Sequence, residues 1–154
     1  MPPRVPLLLA TLAAAALLTT QPALAAAPAA TVPFAADSGD PCERGSTAGT
    51  LEWVTGPVIR PTVKVSGTLS DDPDFSACAP DAMHSRAAFT AYHGTDRVAG
   101  GQVKADDATV PVELALSDAT GVRTIDRVVV QVCRFSNSPV GISYCGSPKE
   151  YKAP

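Results

Sequence analysis

The chain has 154 residues, twelve Lys and Arg against fifteen Asp and Glu, and a net charge of −3. This length suits one domain with one modest core. The mild acidic balance, spread along the chain, excludes the positive footprint that nucleic acid or anionic lipid would require.

Residues 1–25 read as an export signal. Arg4 precedes an apolar stretch from Val5 to Leu18, and Ala23, Leu24 and Ala25 supply the small-x-small pattern of a cleavage site. The stretch is too short to span a bilayer, no second apolar segment follows, and residues 149–154 are polar, so release without a membrane anchor is expected. Removing 25 residues from 154 leaves 129, with eleven basic and fifteen acidic side chains. Ala26, Ala27 and Pro28 follow the site where a lipid-modified protein would carry cysteine. Residues 26–41 are Ala- and Pro-rich, with Val32 and Phe34 their only large apolar groups, and are expected to form a flexible leader into a single domain over 42–154.

Past the leader the dominant period is two. In residues 62–69, Val63, Val65, Gly67 and Leu69 fall on one face and Thr62, Lys64, Ser66 and Thr68 on the other, which predicts a half-buried strand. Residues 110–117 and 128–133 alternate in the same way. Shorter candidates are 51–55 with Trp53, 86–93 with Phe89 and Tyr92, 97–104, and 140–145. Turn chemistry separates these stretches at Gly56-Pro57, His93-Gly94-Thr95-Asp96, Asp106-Asp107 and residues 117–121. One or two helical turns are conceivable only over 80–88, where Pro80 and Asp81 precede several alanines. About seven short strands at roughly ten-residue spacing predict an all-β, antiparallel sandwich.

Cys42, Cys78, Cys133 and Cys145 all lie beyond the signal, and an even count in an oxidising compartment reads as two disulfides. Cys42–Cys78 and Cys133–Cys145 are the favoured pairs, because the second flanks a turn-rich segment and can face across a hairpin. Each bridge is worth roughly 3 to 4 kcal/mol in the chain-entropy model. No CxxC spacing occurs, and His84 and His93 are remote from three of the cysteines, so no metal and no cofactor are expected. Asn137 is the only asparagine, and Pro139 two residues on removes it as a glycosylation acceptor.

In strand number and rhythm, residues 51–144 resemble an immunoglobulin-like or fibronectin-like sandwich. The resemblance stops at the cysteines, since the second predicted strand, 62–69, has none to bridge to the sixth. By strand parity Cys133 points away from Val128, Val130 and Val132, so its bridge would staple a hairpin on the outer side. Two families of small secreted two-disulfide domains, the subtilisin inhibitors and the carriers related to neocarzinostatin, have different cysteine frameworks from the gaps of 35, 54 and 11 residues here. In signal and composition the chain is similar to small exported proteins of GC-rich Gram-positive bacteria, a likeness that implies no activity.

Residues able to carry chemistry are few. Asp81, His84, Ser85 and His93 include the types of a hydrolytic triad, but no GxSxG elbow surrounds Ser85, and polar loop positions are the favoured reading. Asp71, Asp72 and Asp74 offer oxygens to calcium without the spacing of a known loop, which favours a solvated turn. Trp53 reads as core, and Tyr92, Tyr144 and Tyr151 would extend a ligand platform only by converging on it. The segment 135–142, held by the Cys133–Cys145 bridge, is the best candidate for a binding surface, through Ser136, Asn137, Ser138, Pro139 and Val140. A stapled loop loses little entropy on docking, although the bridge can equally serve to tether the last strand. The expectation is therefore a secreted, monomeric, non-catalytic β-sandwich that binds an extracellular protein or cell-envelope component, and neither nucleic acid nor membrane. The alternatives are a protease inhibitor using the 135–142 loop and, less favoured, a small hydrolase.

Overall fold

A computed structural model describes residues 29–40, 42, 44–54, 60–71 and 82–154. Nine strands follow one another: β1 (Ala30–Asp37), β2 (Gly45–Val54), β3 (Thr62–Asp71), β4 (Met83–His93), β5 (Asp96–Ala105), β6 (Thr109–Ser117), β7 (Arg127–Ser136), β8 (Tyr144–Cys145) and β9 (Lys149–Lys152). All pairings are antiparallel. One sheet has the order β1-β2-β3-β6; the other has β5-β4-β7, with β8 and β9 both paired to β7.

The period-two pattern supplies one apolar face to each sheet, and those faces meet. Leu51 and Trp53 of β2, Val63, Val65 and Leu69 of β3, and Val112 and Leu116 of β6 are buried against Ala87, Phe89 and Ala91 of β4 and Val128, Val130 and Val132 of β7. One cross-strand row of the first sheet runs Phe34, Gly49, Gly67, Val112. A Cβ on Gly49 would stand 2.2 Å from the Ser66 carbonyl oxygen and one on Gly67 2.3 Å from that of Ala48, so the paired backbones are too close for any side chain. The neighbouring Phe34 is the large group in that row, and it meets Phe89 of the opposite sheet edge-to-face at 5.5 Å.

The outermost strands of the first sheet, β1 and β6, each carry a mid-strand proline, Pro33 and Pro111. Proline cannot donate to a ladder, so it is tolerated at an edge and makes that edge a poor template for further pairing. At the β4–β5 hairpin, Gly94 takes φ +58° at the first of two central positions, as a tight hairpin of primed type requires.

Three expectations need correction. Residues 30–37 of the supposed flexible leader form β1, because Val32, Phe34 and Ala36 alternate and bury a phenylalanine and an alanine in the core. No described residue is helical, and residues 83–88 of the helical candidate lie in β4, where Ser85, Ala87, Phe89 and Ala91 point inward with period two. The 140–145 strand contracts to Tyr144–Cys145, because Pro139 and Gly141 belong to a turn and Val140 and Ile142 find no face to bury. With β1 and β9 added, the described residues form nine strands instead of about seven. One disulfide, Cys133–Cys145, joins described residues, while Cys78, the expected partner of Cys42, lies outside them, as do the signal stretch, Asp72, Asp74 and Asp81.

Candidate functional site

The loop over 137–143 leaves the end of β7 and returns through β8. Its base is closed by Cys133–Cys145, which occupy facing positions of the β7–β8 ladder. Cys133 is out of phase with the buried Val128, Val130 and Val132, so the bridge lies on the outer side of one sheet and does not cross the core. Within the loop, Gly141 N donates to Ser138 O at 3.1 Å, closing a turn with Pro139 at its first central position, and Ser138 N donates to Ser136 Oγ at 3.0 Å. Val140 and Ile142 project from it, 92% and 70% exposed.

A second brace comes from β4. Asn137 N donates to Ala82 O at 2.7 Å, and the Asn137 amide oxygen is 2.7 Å from His84 Nδ1. His84 stacks on Phe135, with 5.7 Å between ring centres, and the Arg86 guanidinium lies 5.1 Å from the centre of the same ring. Beside them the Lys104 ammonium donates to Asp106 at 2.9 Å. That hydrogen bond, with lesser help from the Lys104 charge, Asn137 and His84, holds the Asp106 carboxyl below its ordinary value. The candidate residues Ser136, Asn137, Ser138, Pro139 and Val140 thus sit on one stapled and braced projection, and only Ser136 is still in a strand.

The other sequence candidates separate. Successive strand residues face opposite ways, so His84 reaches Asn137 on the outside while Ser85 is fully buried and donates its hydroxyl to Asp71. His93 lies at the far end of β4, with Nδ1 3.0 Å from Thr124 O. Asp71 is 1% exposed and points into the sandwich, its Oδ1 3.3 Å from Arg134 Nε and its Oδ2 accepting from Asp107 N at 3.0 Å. It is therefore no part of a solvated turn, and no metal-holding group of His, Cys, Asp and Glu occurs among the described residues. Trp53 is core, donating Nε1 to Ile125 O at 3.2 Å. It also backs a depression of about 520 Å³ shared with Ala30, Thr124, Ile125, Asp126, Ala153 and Pro154. The tyrosines do not converge: Tyr92 lies under Arg127, Tyr144 pairs with Arg134, and Tyr151 reaches Ala35.

Sequence reading missed a buried polar network at the loop end of the sandwich. Arg134 lies between Asp71 and Asp40, its Nη1 3.5 Å from Asp40 Oδ2. Ser38 Oγ donates to Asp40 at 2.6 Å and accepts from Gly45 N at 3.1 Å, while Cys42 N donates to Asp40 at 2.8 Å. Gly45 makes room for the network, since a Cβ there would meet Ser85 Oγ at 2.5 Å and Arg134 Cγ at 3.0 Å. Strand parity is the signal that would have found it: Asp71 continues the inward series of β3, Ser85 that of β4 and Arg134 that of β7.

Comparison with known proteins adds no relative: no family model, curated protein or solved structure matches the chain.

Proposed function

We propose that this is a secreted, non-catalytic binding domain that docks on an extracellular protein through the 137–143 loop. The observation that carries the reading is the pair Val140 and Ile142, exposed on a loop whose base is covalently closed and whose first residue is pinned to Ala82 and His84. Apolar side chains on a pre-ordered projection gain burial on docking and lose little conformational freedom. A disulfide suits an oxidising compartment.

The strand order supports an immunoglobulin-like sandwich of fibronectin-like organisation. With β1 set aside as an added edge strand, the first, second and fifth strands (β2, β3, β6) make one sheet. The fourth, third, sixth and seventh (β5, β4, β7, β9) make the other. Such folds place loops at the two ends of the sandwich and use them for recognition.

The deciding measurement is recovery of bound proteins from secreted and envelope fractions, with the protein and its V140D/I142D variant as baits. Specific capture by the first and its loss in the second support the reading. Capture unchanged by the double substitution, or turnover of a substrate by a protein that captures nothing, overturns it. A protease inhibitor would use the same stapled loop, but the Ser138–Gly141 turn folds back the stretch that a protease cleft takes extended. Unaffected secreted serine proteases at micromolar protein remove that second reading.

A further inference from the structure

Among the described residues, the large apolar side chains left exposed are Val122, Val140 and Ile142. They lie at the two ends of the sandwich. Val140 and Ile142 stand on the loop that follows β7 and Val122 on the connection that precedes it, so the 10 residues of β7, roughly 30 Å at strand rise, separate the two places. The depression backed by Trp53 belongs to the Val122 end. Thr124 and Ile125, which lead into β7, line it together with Ala30 at the start of β1 and Ala153 and Pro154 after β9.

The two ends are complementary. Trp53 and Ile125 are buried beneath the depression, while Thr124, Ala153 and Pro154 are exposed at its rim. Its one charged lining residue, Asp126, is engaged by its own chain, with the carboxylate accepting from Gly94 N and lying 3.5 Å from Arg127 Nη1. The 137–143 loop has no charged side chain at all. Seating such a loop in such a depression therefore buries no unpaired charge. A cavity of about 150 Å³ holds a benzene ring, and the depression, at about 520 Å³, has room for both Val140 and Ile142. Both parts are also set before contact. The bridge closes the loop, while Trp53 Nε1 donating to Ile125 O at 3.2 Å and Ala153 N donating to Asp126 O at 2.8 Å fix the walls of the depression.

We infer that the occupant of the depression is the 137–143 loop of a second copy of this chain, with Val140 and Ile142 seated over Trp53 and Val122 covered at the margin of the contact. The inference rests on the docking role proposed for the loop and names its partner. A projection on one end meeting a hollow on the other makes a head-to-tail contact. Each addition leaves one free projection and one free hollow, so copies add in a row instead of closing as a two-fold dimer. One such contact is small, and assembly is expected only at high protein concentration.

Sedimentation equilibrium between about 10 µM and 1 mM tests it, on the protein, V140D/I142D, T124E/A153E and an equimolar mixture of the two variants. For the protein, a weight-average mass that climbs past that of a dimer without a plateau is expected, and each variant alone should stay monomeric. The mixture should stop at a 1:1 dimer, because one variant keeps an intact hollow and the other an intact loop. Thermal melting checks that both variants remain folded, and A153W, which fills the hollow without adding charge, takes the place of T124E/A153E where that variant melts early. A monomer at every concentration, a plateau at two copies, self-association retained by either variant, or a mixture that stays monomeric would overturn the inference. Should the protein stay monomeric while V140D/I142D loses capture of a different extracellular protein, the loop keeps its docking role and only the second copy is refuted as its partner.

Discussion

Tyr151 closes the seam between the two sheets through Ala35: its hydroxyl donates to the Ala35 carbonyl at 2.7 Å and accepts from the Ala35 N–H at 3.0 Å. Ala35 lies on the edge strand β1 of one sheet and Tyr151 on the last strand of the other. One phenol thus satisfies both backbone groups of an edge residue, which would otherwise look to water, and ties the two ends of the described chain together. Lys149, 3.4 Å from Asp37, spans the same seam.

Tyr151→Phe keeps the ring against Phe34 and removes only these hydrogen bonds. A loss of about 1 kcal/mol is expected in urea unfolding, with faster amide exchange confined to β1. Exchange that rises uniformly, with no preference for β1, would contradict the seam.

Arg134→Met leaves the carboxylates of Asp40 and Asp71 buried beside an apolar side chain. The cost of breaking a buried ion pair from one side is roughly 3–5 kcal/mol. Lys64→Met, which breaks an exposed pair with Glu52 at 3.6 Å, should cost less than about 1 kcal/mol. Similar urea midpoints for the two variants would count against a stabilising role for the network.

Acid should act on the same network. Burial alone would raise the Asp40 carboxyl, but the Ser38 hydroxyl, the Cys42 N–H, the Arg134 charge and the Arg44 N–H together outweigh it and hold Asp40 below its ordinary value. A carboxyl lowered in the folded state contributes stability that is complete above the unfolded value of about 3.9 and is lost as pH falls through the folded one. Unfolding midpoints should accordingly hold between about pH 7 and 5 and fall below about pH 4. Ser38→Ala should make that fall shallower, and an unchanged slope would remove Asp40 as a cause.

Replacing Cys133 and Cys145 together by serine opens a closure of sequence separation 12. A destabilisation of roughly 3 kcal/mol is expected from the freed unfolded chain. Residues 137–143 should also lose exchange protection, because Asn137 then holds the loop alone. Full protection in the double variant would show that the hydrogen bonds to Ala82 and His84 suffice.

Alternation made much of the framework legible. Val63, Val65 and Leu69 announce β3, Val128, Val130 and Val132 announce β7, and the outward phase of Cys133 anticipates a staple on the sheet surface. The same rule, followed two residues further, would have placed Asp71 and Arg134 inside. A charged residue at a strand end ordinarily marks the start of solvent, and that expectation hides both positions. β1 escaped because Pro33 and the alanines Ala30 and Ala35 blur the alternation of Val32, Phe34 and Ala36, and proline counts against a strand unless that strand is known to lie at an edge.

By itself the order of residues determined the layered all-β class, the inward apolar set and the position of the stapled loop, since each depends on side-chain phase within one or two neighbouring segments. Only the tertiary arrangement decided which strands became edges, how Asp40, Asp71 and Arg134 came together, and that Arg86, Arg97 and Lys104 share a face. Those relations join residues up to 94 positions apart, as Arg134 and Asp40 are, and local periodicity holds no information about strand order across such distances.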